Sequence, residues 1–105
     1  MSVLLGLNID LIIDLSNMAL LELCSRLGDS LTILVRDFAL DDSGFYAERL
    51  YNIRRHAYVL RTAYQGLLLF ASIRGRPLIG DEVGEFMITR ITNRVDQILS
   101  DLGLE

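Results

Sequence analysis

Lysine is absent from this 105-residue chain, and cysteine, histidine and proline occur once each. A lone cysteine, Cys24, excludes an internal disulfide and any cysteine-based metal cluster. A lone histidine, His56, leaves one imidazole for acid–base work. Long apolar runs are missing as well. The longest charge-free run, Thr62–Ile73, has twelve residues, where a membrane-spanning helix needs roughly 20. The segment Met1 to Leu7 is apolar but lacks a basic flank, and Asp10 and Asp14 interrupt the next apolar segment, so it does not read as a secretory signal. The expected compartment is the cytoplasm.

Against these absences the chain is apolar for its size, with 51% hydrophobic residues and a mean hydropathy of +0.38. One domain spanning residues 1–105 has room for a core, yet a small domain cannot bury that much apolar surface alone. A partner is expected to cover the remainder. The charges are sorted along the chain. Residues 1–48 hold eight acids and two arginines, residues 49–80 six arginines and no acid, and residues 81–105 six acids and two arginines. Arginine makes planar, bidentate contacts with carboxylates and phosphates, so its exclusive use points to fixed pairings.

The strong breakers are few: Asp41-Asp42-Ser43-Gly44, and Arg74-Gly75-Arg76-Pro77-Leu78-Ile79-Gly80. They divide the chain into three segments with helical periodicity. In the first, Ile13, Asn17, Leu20, Cys24, Leu27, Leu31, Leu34 and Phe38 recur at steps of four and three. Asn8 fits an N-cap, with Leu7 and Ile12 as a hydrophobic staple. Gly28-Asp29-Ser30 could divide this segment, but the spacing crosses Gly28 in phase, which predicts one helix over about residues 9–40. In the second, Tyr46, Leu50, Ile53, Ala57, Leu60, Tyr64, Leu67 and Ala71 predict a helix over about 45–73. The third starts at Asp81 as N-cap, carries Ile88, Ile91, Val95, Ile98 and Leu102, and stops before Gly103, for a helix over about 81–102. The short connector 41–44 folds the first two helices into an antiparallel hairpin. The expected fold is therefore all-α: a three-helix antiparallel bundle built on a long helical hairpin and completed by homo-oligomerisation.

That pairing sets residues 9–21 beside residues 60–73, two stretches that are apolar on more than one face. A third helix covers only one side, so the open end of the hairpin is the expected interface for a second copy, most simply a dimer. Its candidate residues are Leu11, Leu15, Met18, Leu68, Leu69 and Phe70. Asn17 falls at a core position, where it either turns to the edge or sets register and oligomeric state.

Catalytic constellations are not visible. Cys24 lies in the core stripe and nearer Leu60 than His56, so it reads as a small buried apolar side chain. No Glu precedes His56 by three, as a bundle carboxylate metal site would need. Asp10 and Asp14, four apart, could hold a hard cation but more simply form a solvated first turn. Arg74-Gly75-Arg76-Pro77 lacks the lysine and spacing of a phosphate loop. No cofactor and no metal are expected.

One constellation suits a partner. Tyr51, Arg54, Tyr58, Arg61 and Gln65 form a stripe on the second helix, flanked by Arg49, Arg55 and His56. The candidate partner-binding residues are Arg49, Tyr51, Arg54, Arg55, Tyr58 and Arg61. Interleaved Arg and Tyr suit a protein hot spot or a nucleic-acid backbone. They could equally be braced by Asp37, Asp41, Asp42 and the acidic third helix. With a net charge of −4 and pI near 4.9, long-range attraction to nucleic acid is poor. The expected function is a non-enzymatic assembly, adaptor or regulatory subunit that binds another protein; the alternative is a small nucleic-acid-binding subunit within a ribonucleoprotein.

Overall fold

The computed structural model describes residues 2–37, 43–78 and 80–104, with the backbone alone at residues 2–7, 43 and 44. Three helices, α1 (Ser2–Arg36), α2 (Ser43–Ile73) and α3 (Asp81–Asp101), pack into a body of 56 × 20 × 18 Å. The long dimension is that of α1, about 52 Å at 1.5 Å per residue.

Side-chain pairs give the directions. Asp10 meets Arg74, and Asn17 meets Tyr64, so α1 and α2 are antiparallel. Arg54 meets Asp96, and Gly84 lies against Tyr64, so α3 returns along α2. The periodic stripes of α1 and α2 meet as their spacing requires. On α3 the buried row continues through Leu99 rather than the expected Ile98 and Leu102, for Ile98 is only half-buried and Leu102 is exposed. Cys24, Leu27, Leu31 and Leu34 of α1, Leu50, Ile53, Ala57 and Leu60 of α2, and Ile88, Ile91, Val95 and Leu99 of α3 form the main core. Leu50, Val95 and Leu99 are fully buried; each such side chain contributes about 1.5–3 kcal/mol by leaving water.

The boundaries depart from the sequence expectation at three points. The first helix begins at Ser2, so Asn8 is an interior helical residue and not its cap. The apolar run before Asn8 continues the helix, and continuation leaves no end there to be capped. Gly80, in the left-handed region at φ 83°, precedes α3, and Asp81 lies inside the first turn, where its charge faces the helix's positive end. The second helix begins at Ser43. The expected stretch 38–40 of the first helix, Phe38, Ile79, most of the 41–44 connector and the carboxylates of Asp41 and Asp42 lie outside the described residues. Gly28 does not interrupt α1, as the unbroken spacing predicts.

The end of α2 is set by Gly75. Its φ of 69° lets Arg76 N–H reach Ala71 O at 2.8 Å and Gly75 N–H reach Ser72 O at 2.9 Å, the paired bonds of a Schellman stop. The chain then doubles back across the open end of the hairpin. Leu78 is buried with Ile13, Tyr64 and Ala71 in a second, smaller core. This strap is absent from the sequence reading, which treats 74–80 as a connector only.

Candidate protein-binding surface

The same periodicity that buries one stripe of α1 and α2 leaves other apolar positions in water. Leu11, Leu15, Met18, Leu69 and Phe70 are all exposed, as an interface at the open end requires. Leu68 is not part of that surface. It is half-buried and packs with Ile13, Tyr64, Ala71 and Leu78, because the strap and α3 reach its side of α2. Ile12, Leu23, Val59 and Ile73 add to the exposed set, at 47–75% exposure.

Part of this surface lies along the outer side of the hairpin, away from α3. Two shallow grooves run there between α1 and α2. Ser16, Ala19, Leu20, Ala63, Gly66, Leu67 and Phe70 line one; Leu23, Arg26, Leu27, Ser30, His56, Val59 and Leu60 line the other. The side chains of Ala19, Ala63 and Phe70 are exposed, so no described residue closes the first groove. The exposed Leu23 and, on α3, Val83 and Phe86 escaped the sequence reading. Val83 and Phe86 are three apart and off the buried stripe of α3, a pattern that could have marked them.

The arginine block is largely committed within the chain. Arg76 contacts both carboxylate oxygens of Asp14, at 2.9 and 3.1 Å, and Arg74 and Arg76 both contact Asp10. Desolvation pushes the Asp10 carboxyl up, but hydrogen bonds and charges from Arg74 and Arg76 outweigh it and hold it below the usual range. Asp10 and Asp14 are thus neither a first turn nor a cation pair; they anchor the strap. Arg54 contacts Asp96 at 3.1 Å and lies over the Tyr51 ring, 5.2 Å from its centroid. Arg61 lies over the Tyr58 ring at 5.7 Å. Arg55 and Tyr58 are exposed. The stripe therefore splits: Tyr51 and Arg54 brace α3, while Arg55, Tyr58 and Arg61 form no ion pair among the described residues. Arg49 is exposed and is engaged within the chain. Asp37, expected to brace the block, pairs instead with its neighbour Arg36.

A third groove, of about 440 Å³, separates α1 from α3, with Cys24, Gly28 and Ile91 on its floor and Arg90 and Arg94 on its rim. Cys24 is fully buried, and burial pushes its thiol up, the wrong direction for a nucleophile. His56 is exposed in a groove on the other side of α1. Among the described residues no three His, Cys, Asp or Glu side chains are grouped to hold a metal ion, and no described helix is long and apolar enough to cross a membrane. Comparison of the chain with protein-family models, curated proteins and solved structures finds no match.

Proposed function

We propose that this protein is a non-enzymatic helical assembly or adaptor subunit of the cytoplasm that self-associates and binds another protein. The observation that carries this reading is the exposed apolar surface of the α1–α2 hairpin: Leu11, Ile12, Leu15 and Met18 on α1 and Leu69, Phe70 and Ile73 on α2 are all 44–75% exposed. Exposed apolar surface of this extent on a small domain marks an interaction site.

The pairing of the arginines supports protein over nucleic acid. Among the described residues, Arg54, Arg74 and Arg76 are held by carboxylates of α1 or α3, which removes much of the positive field a phosphate backbone would meet. Exposed Arg55 and Tyr58, with half-buried Arg61 over the Tyr58 ring, are a fitting contact for an acidic protein segment.

The test is purification of the native protein through size exclusion, followed by mass and absorbance. A species heavier than 11.8 kDa containing protein alone is the expected result. A monomer with nothing attached overturns the reading. A complex that absorbs at 260 nm and dissociates steeply with salt establishes the nucleic-acid alternative instead.

A further inference from the structure

The outer side of the hairpin carries the same order of sizes on both helices. On α1 it reads Ile12, Ser16, Ala19, Leu23; on α2 it reads Val59, Ala63, Gly66, Phe70. Both runs step by four, three and four, with a large residue at each end and two small ones in the middle. Because the helices are antiparallel, the two middles lie side by side in one groove. The block therefore reads the same from either end of the bundle. None of its eight residues is charged, and the nearest charge lining these grooves is Arg26, beyond Leu23.

Gly66 adds an independent observation. It sits inside α2, where glycine costs about 1 kcal/mol against alanine. A Cβ built there meets nothing within 4 Å. Packing among the described residues gives no reason for glycine, whereas a second backbone approaching this face would.

We propose that this face seats the same face of a second copy of the chain, related by a two-fold axis that lies in the interface and passes over the Ser16, Ala19, Ala63 and Gly66 valley. The proposal rests on the reading of the protein as a self-associating subunit and names the surface and its occupant. A two-fold interface requires a patch that complements itself. Whether the axis runs along or across the helices, the small residues of the two copies meet at the crossing point and the large residues at the ends pack around it. Small residues at the centre let helices of the two copies approach to about 8 Å. The area is sufficient. Ile12, Leu15, Leu23, Val59, Phe70 and Ile73 are 44–75% exposed. At about 100 Å² each on burial, and with the small residues between them, they approach the ~800 Å² per partner of a stable interface. The product is a four-helix layer made of two hairpins, with each α3 on the outside.

Sedimentation or light scattering of the full chain tests this with two charge insertions. Ala63→Glu places a carboxylate at an exposed point of the single chain but at the dry centre of the dimer. Phe86→Glu places one on α3, at a residue already 64% exposed. The expected result is a wild-type dimer, a Phe86→Glu dimer, and an Ala63→Glu protein with unchanged helical circular dichroism whose self-association is weaker by about a hundredfold or more. Should Ala63→Glu lose helicity, Ala19→Glu makes the same test from α1. A dimer that survives both Ala63→Glu and Ala19→Glu overturns the proposal and leaves the assembly reading in place, with the interface elsewhere. A wild-type chain that is monomeric at micromolar concentration overturns it too, even if the native protein co-purifies with a different protein.

Discussion

The hydroxyl of Tyr64 donates a 2.7 Å hydrogen bond to Oδ1 of Asn17 across the α1–α2 interface, where both side chains are buried. Asn17 thus neither turns to the edge nor waits for another subunit to satisfy it. It ties the register of the hairpin from within. Burial pushes the Tyr64 phenol up, and the negative charges of Asp81 and Glu85 add to this, so it stays a donor across the neutral range. Tyr64→Phe is expected to destabilise the protein by about 1–3 kcal/mol, since it takes a donor from a buried carbonyl oxygen. In a double-mutant cycle with Asn17→Ala, measured by urea unfolding, the two losses should add to clearly more than the double mutant shows. Simple additivity would mean that the bond contributes nothing.

Gly84 makes room for the same ring. A Cβ at Gly84 would fall 2.5–2.9 Å from three atoms of Tyr64. Gly84→Ala should therefore cost about 1–3 kcal/mol despite alanine's better helix propensity, because the fully buried ring has nowhere to move. Tyr64→Leu should relieve much of that cost in the Gly84→Ala background. An unchanged melting temperature for Gly84→Ala would show that α3 sits further from α2.

Gly28 should behave in the opposite way. It lies inside a continuous helix, and a Cβ there would rest 3.8 Å from Ile91 Cδ1, an ordinary contact. Gly28→Ala is expected to stabilise by up to about 1 kcal/mol, a rise of about 4–8 °C in Tm for a domain of this size. A clear fall in Tm would contradict the unbroken helix.

The strap should weaken in acid. Asp10 is held below the ordinary aspartate range by Arg74 and Arg76, so its contribution is present above the unfolded-state pKa and disappears as pH falls through the lower folded value. The stability difference between wild type and Asp10→Asn should be constant near neutrality and shrink below about pH 4. A difference that persists in acid would show that charge is not what holds the strap to α1.

The exposed end of the arginine stripe should bear on partner binding more than on stability. Changing Arg54, Arg55 and Arg61 together to Gln removes the Arg54–Asp96 ion pair, whose side chains are 22% and 49% exposed. Such a pair contributes about 0–1 kcal/mol. A thermal melt close to wild type with lost partner binding is the expected outcome. A large fall in Tm with binding intact in the folded fraction would make the stripe structural.

Periodicity along the sequence was enough to determine three helices, the stripes that α1 and α2 bury, the first half of the α3 stripe, the helical run through Gly28 and the stop before Gly103, because each depends on residues within one or two turns. It missed Leu99, which is buried while Leu102 is exposed. It also marked residues 9–21 and 60–73 as apolar on several faces. The tertiary structure alone decided which faces stay open. Leu68 and Leu69 are neighbours in one apolar run, yet the strap covers the first and leaves the second in water. Asp10 and Asp14 likewise find Arg74 and Arg76 only because the Gly75 stop turns the chain back more than sixty residues later. Such contacts depend on where a distant segment returns, and no local spacing encodes that.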